Sequence, residues 1–414
     1  MRASLVLTAA ALASCNASNS GTTAPDAPAD SAPAPDAPPT MCAPTGGDPI
    51  APPVVATGPL QLNDVSILFP LSATYLCASS AGSNGPLLPA ALFDALPLAQ
   101  MPSGISMYQE LRAVALRIDP CFASLDPDPQ GSGCAAQIRL VFEEVTLSDT
   151  NAPTAFDSGV HALYSLTRAE LLTLAQSIAA FRAANSTGRL GALAPSPIIA
   201  EQGEAGAYAQ GIRSLVLQYA NPANLVRVTA MTSDNDRACW TFDGDQDATT
   251  DTFAPLAIPT LAGSATQQRF ITGAGGATAF VPGTTSADDL MPLANGFVPA
   301  AQAGSALDAL VRIDNPTDES ANTIDCVSCH TATPLSLEIA GPIYGFDEEA
   351  SGSAYRADGT YVLASELTPT LPPAVLPTDQ LHAFSYINGD PEISQRVVNE
   401  SAAVVVYLNH ALGL

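Results

Sequence analysis

Runs of apolar residues predict several strands in the first part of the chain. The continuous run at 64–71 (DVSILFPL) is typical of a strand buried on both faces. The segments 111–119 (LRAVALRID) and 136–145 (AQIRLVFEEV) alternate apolar and polar residues, and each predicts a further strand. The segment 225–231 (LVRVTAM) predicts a fourth strand.

Two helices are predicted between the third and the fourth strand. Thr167 and Glu170 have the spacing of a capping box, in which each side chain caps the other residue's backbone N–H. A helix is therefore expected from about 168 to 183. A second helix is expected from about 205 to 219, because Asn221-Pro222 stops it.

These elements predict an α+β domain over residues 59–300, followed by a mostly α-helical domain over 301–414. In the second domain, apolar residues recur at helical spacing at 306–313 and again at 394–412. A proline-rich loop is expected at 369–377.

Two segments near the domain boundary are predicted to lack regular structure. Residues 262–305 are rich in Gly, Ala and Thr, which indicates a loop or a boundary. The acidic run 243–251 (DGDQDATTD) begins like a calcium-binding loop, but it lacks the glycine at the sixth position and the glutamate at the twelfth. A solvated acidic loop is the expectation there.

The N-terminus has the features of a bacterial export signal. Met1-Arg2 precedes an apolar stretch too short to span a membrane, and the stretch ends in Leu12-Ala13-Ser14-Cys15. These last four residues resemble the lipobox of bacterial lipoproteins. The resemblance implies that residues 1–14 are a signal peptide and that Cys15 is lipidated. Because Asn16 follows, it also implies an outer-membrane lipoprotein of the cell envelope, either periplasmic or surface-exposed. The alternative is an ordinary secretory signal with an incidental cysteine.

Residues 15–58 are predicted to be a disordered tether behind the lipidated cysteine. They consist mainly of Ala, Pro, Asp, Ser and Thr and have few large apolar residues to bury. About 40 residues extended at about 3.1 Å each would reach about 120 Å from the membrane.

The charge of the chain excludes one class of partner. Forty acidic residues stand against fourteen basic ones, all of them arginine, for a net charge of −26. Such a chain repels nucleic acid and anionic headgroups, so membrane attachment is expected through the lipid anchor only. The acidity indicates solubility, and it is also compatible with steering toward a basic redox partner protein.

The run Cys326-Val327-Ser328-Cys329-His330 is the strongest chemical signal in the chain. It has the pattern of c-type haem attachment, in which both cysteines form thioethers with the haem and the histidine binds the iron. In a chain of this length and composition, about 0.002 occurrences of the pattern would be expected by chance. The alternatives are a disulfide between the two cysteines, a zinc site and a redox dithiol.

The surrounding residues 326–346 resemble the class I cytochrome c family. In that family a Gly-Pro pair follows the haem histidine, and the proline carbonyl accepts a hydrogen bond from the imidazole. Gly341-Pro342 stands at that place, so the resemblance assigns the supporting role to Pro342. The family's final helix near the haem corresponds to the helix predicted at 394–412. The implied cofactor is one covalent haem c.

The sequence departs from that family on the distal side of the haem. No methionine follows His330, so the usual methionine ligand cannot come from this domain. The candidates are His382, His410, an upstream methionine (Met231 or Met291), or no side chain. His382 is preferred, since it precedes the final helix roughly where the family has its ligand loop. For His161 and His410 we expect a solvated or hydrogen-bonded side chain instead.

The other cysteines suit an oxidising compartment. Cys121 and Cys134 flank an acidic turn and are predicted to form a local disulfide. Cys42, Cys77 and Cys239 remain, which allows one further disulfide and one free thiol, with the pairing open.

These features predict a membrane-anchored monohaem c-type cytochrome that transfers electrons at the cell envelope. No nucleophile-elbow or phosphate-loop motif marks the 59–300 domain as an enzyme, so an electron carrier is favoured over an enzyme. Two alternatives stay open. One is a haem enzyme or sensor with an open distal site, and the other is a surface binding lipoprotein with an accessory haem.

Overall fold

The computed structural model describes residues 42, 49–96, 104–119, 136–148, 150–156, 158–186, 188, 190–233, 239–249, 252–271, 278–280, 286–294, 299–320, 323–351, 354–357, 381 and 383–414. The predicted signal peptide, Cys15, the Cys121–Cys134 turn, the 369–377 loop and His382 lie outside these residues.

The described residues contain fourteen strands, ten of which form one antiparallel sheet. In chain order the strands are β1 (Ser66–Leu68), β2 (Ala81–Gly82), β3 (Gly85–Pro86), β4 (Leu111–Asp119), β5 (Gln137–Leu147), β6 (Pro153–Ala155), β7 (Ser158–Ser165), β8 (Leu225–Ser233), β9 (Cys239–Thr249), β10 (Thr252–Pro255), β11 (Gln267–Ile271), β12 (Thr278–Phe280), β13 (Phe384–Ile387) and β14 (Asp390–Ile393). The sheet has the order β1-β4-β5-β7-β8-β9-β11-β12, with β6 added to β5 and β10 to β9. The pairs β2–β3 and β13–β14 are separate hairpins.

Helices cover the sheet and connect its strands. They are α1 (Leu62–Val65), α2 (Ala90–Ala95), α3 (Gly104–Glu110), α4 (Arg168–Asn185), α5 (Pro197–Gln202), α6 (Ala207–Tyr219), α7 (Ser286–Ala294), α8 (Ala300–Asp314), α9 (Cys326–Leu335), α10 (Gly341–Tyr344) and α11 (Gln395–Leu412). A turn of π-helix at Ser336–Ala340 joins α9 to α10. No helix within the described residues is long and apolar enough to cross a membrane.

One face of the sheet packs against α4 and α6. Leu140, Ala162 and Val228 point to this face from neighbouring strands, and Ile178 and Ile212 meet them from the two helices. All five side chains are buried. This contact forms the main core of the molecule, into which the end of α11 also inserts Val404 and Leu408.

The opposite face of the sheet is covered by the C-terminal part of the chain. The β13–β14 hairpin and the start of α11 pack on Val141 and Val145 of β5 through Phe384 and Val397. Farther along the sheet, Val327 of α9 is buried in a cluster with residues of β8, β9 and β11. The sheet therefore lies between two layers, and the C-terminal layer contains the Cys326–His330 motif.

Several predicted elements are confirmed. The strand predicted at 111–119 is β4, and those predicted at 136–145 and 225–231 are β5 and β8. Helix α4 begins at the predicted capping box, where the Glu170 N–H donates to Thr167 Oγ1 at 3.2 Å and the Thr167 N–H donates to Glu170 Oε2 at 2.8 Å. The predicted mixture of α and β structure is therefore present.

Other predictions need correction. The run at 64–71 forms a strand only over β1, because Asp64 accepts the backbone N–H of Gln61 and closes α1 in front of it. The acidic run at 243–251 is no solvated loop. Most of it belongs to β9, which pairs with β8 and β11, and both Asp243 and Asp245 are buried. The 262–305 stretch contains β11, β12 and α7.

The C-terminal part is less helical than predicted. Its helices are present, with α8 longer than the expected 306–313. The β13–β14 hairpin was not predicted, although Asn388-Gly389 is a typical two-residue hairpin turn and Asn388 has a φ of 58°.

One disulfide joins Cys42 to Cys77, with the two Cα atoms 6.2 Å apart. This bond resolves the pairing that the sequence left open. It attaches position 42, within the predicted 15–58 tether, to the folded body beside β4, where Cys77 forms a backbone bridge with Arg112.

Candidate functional site

The Cys326–His330 motif forms the first turns of α9, and a buried carboxylate fixes where that helix begins. Asp325 caps the helix by accepting the Ser328 backbone N–H at 2.9 Å and the Ser328 hydroxyl at 2.7 Å. Gln268 of β11 donates to Asp325 at 2.7 Å and accepts the Val327 N–H at 3.0 Å. The motif is therefore anchored to the central sheet by side chains that are fully buried.

Cys326, Cys329 and His330 line one cavity between α9 and the sheet, with a volume of about 950 Å³ including its mouth. The walls are mainly apolar and include Val141, Leu163, Met231, Phe242, Leu256, Ile258, Ile324 and Phe384. Both the large sheet and the C-terminal segment contribute to them.

The sheet wall of the cavity is a regular grid of side chains centred on His161. Val141 of β5 and Thr229 of β8 stand directly opposite His161 on its two sides. One row along, Arg139 and Arg227 flank Leu163 in the same way. These alternate residues share a face because successive side chains of a strand point to opposite sides.

The next row of the wall leaves room. Gly159 lies two residues before His161, on the same face of β7. A Cβ placed there would have only the Phe142 carbonyl oxygen near it, at 4.0 Å. Packing within the protein therefore does not require glycine at this position. A side chain would instead project into the cavity.

His330 is held by a backbone carbonyl. Its Nδ1 hydrogen-bonds to the carbonyl oxygen of Leu381. A carbonyl can only accept, so Nδ1 carries the proton and Nε2 carries the lone pair with which an imidazole binds a metal. The resemblance assigned this carbonyl to Pro342, whereas the partner of Nδ1 in the structure is Leu381, a residue of the segment that leads into β13.

Two aromatic rings lie close to His330. The Phe242 ring centroid is 5.3 Å from that of His330, at an interplanar angle of 55°. The His161 ring centroid is 6.3 Å away, and the two imidazole planes are inclined by only 23°. The fold thus brings together two histidines that are 169 positions apart in the sequence.

Arg139 and Arg227 give the cavity a positive edge. The strand register puts their Cα atoms about 10 Å apart, with Leu163 between them. Arg139 is paired with Asp119 at 3.2 Å, yet its Nε atom is buried with no hydrogen-bond partner among the described residues. Burial lowers the pKa of Arg227, and the positive charge of Arg139 lowers it further. Two neighbouring guanidinium groups suit the binding of an anionic group at this edge.

Cys326 and Cys329 are not bonded to each other. Burial raises the pKa of both thiols above the ordinary range, that of Cys329 to about 11. Both are therefore protonated at neutral pH. A redox dithiol or a zinc site would instead be favoured by surroundings that stabilise the thiolate.

The remaining predicted residues are placed as follows. Met231 lines the cavity, and Met291 packs against the neighbouring apolar cluster. His410 is exposed in the last turn of α11. Cys239 begins β9.

Gly159, Arg139 and Arg227 were not found from the sequence, and His161 was expected there to be only a solvated or hydrogen-bonded side chain. Each lies in an ordinary strand pattern. The only signal in the sequence is that they occupy alternate positions of β5, β7 and β8, which places them on one face of the sheet.

Comparison of the chain with family models, with curated proteins and with solved structures gave no match.

Proposed function

We propose that the protein is a c-type cytochrome that carries one haem, bound through Cys326 and Cys329 and ligated by His330. The observation that carries the proposal is that all three motif residues face the same largely apolar cavity. A motif that occurred by chance would not be expected to place its two thiols and its imidazole along one cavity.

The residues around the cavity suit such a group. The gap at Gly159 leaves space beside the sheet, and the apolar walls suit a flat macrocycle. The unpartnered Nε of Arg139 and its neighbour Arg227 would bind the two carboxylates of a haem.

The haem would supply reversible one-electron chemistry. The protein's own contribution is positional and electrostatic. The Leu381 carbonyl fixes the orientation and tautomer of His330 and raises the basicity of its Nε2. The Asp325–Gln268 network holds both thiols at a set place over the sheet, and the apolar walls keep water away from the site.

The thiols support attachment over the alternatives. They are unbridged and protonated in the fold, which disfavours the structural disulfide and the redox dithiol. Among the described residues there is no cluster of three or more His, Cys, Asp or Glu side chains able to hold a metal ion, and a zinc site would need one.

The export signal completes the proposal. Lipidation of Cys15 would anchor the chain to the outer membrane, and the part of the tether between Cys15 and the Cys42–Cys77 disulfide would let the folded body reach its partner. With a net charge of −26, a basic redox partner is favoured. A Cys15→Ala variant should move from the membrane fraction to the soluble envelope fraction.

The decisive experiment is the mass and spectrum of the exported full-length protein. Expression in a host with c-type haem maturation should give a chain heavier by one haem and a pyridine haemochrome spectrum of the c type. The Cys326→Ala/Cys329→Ala variant should lose both signals, whereas Cys239→Ala should keep them. A correctly exported wild-type chain without covalent haem would overturn the proposal.

A further inference from the structure

The two histidines across the cavity lead to an inference about the second axial position of the iron. We infer that His161, on the central strand β7, is the distal ligand of the haem that His330 ligates from the other side. The inference rests on the proposed haem attachment, and it assigns a specific role to the sheet.

The distance between the two ring centroids is compatible with this assignment. When two imidazoles bind one metal from opposite sides, each metal–nitrogen bond is about 2 Å long and each ring centre lies about 1 Å beyond its nitrogen. Their centroids are then about 6 Å apart. The centroids of His161 and His330 are 6.3 Å apart, with planes inclined by 23°.

The position of each histidine also fits. The Nδ1 of His330 is bonded to the Leu381 carbonyl, which leaves Nε2 as the nitrogen with the lone pair that can bind a metal. His161 stands at the centre of the opposite wall, with Val141 and Thr229 on either side and the gap at Gly159 one row away. The rigid sheet would therefore hold the distal imidazole in place.

Met231 also lines the cavity, but it is a weaker candidate. Its side chain is buried in the apolar cluster of Trp240, Phe242 and Phe270, which gives it a packing role. His410 is exposed at the end of α11 and does not line the cavity.

A ligand set of two imidazoles would make the iron six-coordinate and low-spin in both oxidation states. Because neither ligand has to leave, electron transfer would need little rearrangement, and small gases would bind slowly. The inference therefore favours an electron carrier over the alternative of a haem enzyme or sensor with an open distal site.

The chain contains four histidines, which permits a clean test. In a His382→Ala/His410→Ala variant only His161 and His330 remain. Electron–nuclear double resonance of the oxidised protein, with ¹⁵N-labelled histidine, counts the imidazoles bound to the iron. Two imidazoles in this variant support the inference, and one imidazole overturns it.

A second measurement uses the distal residue itself. His161→Ala should convert the haem from low-spin to high-spin, should bind CO at least tenfold faster than wild type in the reduced state, and should return to low-spin on addition of imidazole. Met231→Leu is the matched control and should remain low-spin. A low-spin His161→Ala protein that still carries its haem would overturn the inference.

The haem content measured by mass separates the two proposals. Wild-type protein without covalent haem would contradict the proposed function. Wild-type protein with covalent haem that is high-spin would leave attachment intact and overturn the assignment of His161 alone.

Discussion

Glu144 of β5 shows how a single side chain makes stability depend on pH. It is partly buried beside Glu110, and its pKa is raised to about 7, first by burial and then by the hydrogen bond and charge of Glu110. The folded state therefore binds this proton more tightly than the unfolded state, whose pKa is near 4.5. The resulting stabilisation is complete below about pH 4.5 and is lost as the pH rises through 7.

We expect Glu144→Gln to remove this loss of stability at high pH. Because solvent screens a partly exposed carboxylate, the variant should gain about 1–2 kcal/mol over wild type at pH 8 and almost nothing at pH 4.5. Urea unfolding at both pH values would measure the difference. Glu201→Gln, at an exposed position of α5, should change the free energy of unfolding by less than about 0.5 kcal/mol at either pH. An equal gain for Glu144→Gln at both pH values would contradict the expectation.

Two glycines of the central sheet, one in β7 and one in β9, differ in what surrounds them and therefore in their expected roles. A Cβ at Gly244 would lie 2.5 Å from the Val228 carbonyl oxygen, whereas a Cβ at Gly159 meets only one atom, at 4.0 Å. Gly244→Val should therefore destabilise the protein by several kcal/mol. Gly159→Val should cost less than about 1 kcal/mol, because valine suits a strand, but it should lower the fraction of chains that carry covalent haem.

Thermal unfolding of the haem-free proteins and the mass of the exported ones would check both parts of this prediction. Full haem occupancy in a folded Gly159→Val variant would show that the gap at this position is not needed by the cofactor.

At the scale of elements, local signals predicted the parts of the fold that depend on local sequence. The capping box located α4, and alternation located β4 and β5. Strand β9 was missed because the acidic residues that follow Trp240 and Phe242 indicated a solvated loop, whereas Asp243 and Asp245 are buried in the strand. Hydrogen bonds to β8 and β11 stabilise this strand, and they cannot be recognised from the sequence of β9 alone.

The residues of the candidate site also divide into those that the sequence could predict and those that it could not. Cys326, Cys329 and His330 are contiguous, so their chemistry was visible in the sequence. The opposite wall comes from strands far away in the chain, and no local pattern distinguishes His161 from a surface histidine. The register of β7 with β5 and β8 creates that wall, and register is a property of the folded sheet.

Glu400 joins helix α11 to strand β4 through a buried ionic cluster. It pairs with Arg117 at 2.6 Å and with Arg396 at 2.7 Å. Burial alone would raise the pKa of Glu400, but the two guanidinium charges hold it well below its ordinary range. This group therefore stabilises the fold above about pH 4.5, and the stabilisation is lost as the pH falls.

Glu400→Gln should destabilise the protein by about 3–5 kcal/mol at pH 7, since it leaves two buried arginines without their counter-charge. Denaturant unfolding would measure the loss. The same change at exposed Glu349 is the matched control and should cost less than about 0.5 kcal/mol. A loss below about 1 kcal/mol for Glu400→Gln would mean that the arginines find other partners, such as the carbonyls of Ile313 and Glu319 that Arg396 already contacts.

At the scale of the whole molecule, the segment 301–414 shares its cores with the sheet. Val397 and Val398 are buried against β5, and Val404 and Leu408 are buried in the main core. Val327 beside the motif packs on β8, β9 and β11. At about 1.5–3 kcal/mol for each buried side chain, these five contacts amount to about 10 kcal/mol, comparable to the whole stability of a typical domain.

A fragment of residues 301–414, exported alone, should therefore fail to fold, even though it contains the entire attachment motif. Its circular dichroism should lack a cooperative thermal transition, and any haem attached to Cys326 and Cys329 should be exposed to solvent and bind CO rapidly. The full-length chain measured in parallel should unfold cooperatively. A fragment that unfolds cooperatively and holds a low-spin haem would mean that the sheet is dispensable, and that the distal ligand lies within the fragment rather than on β7.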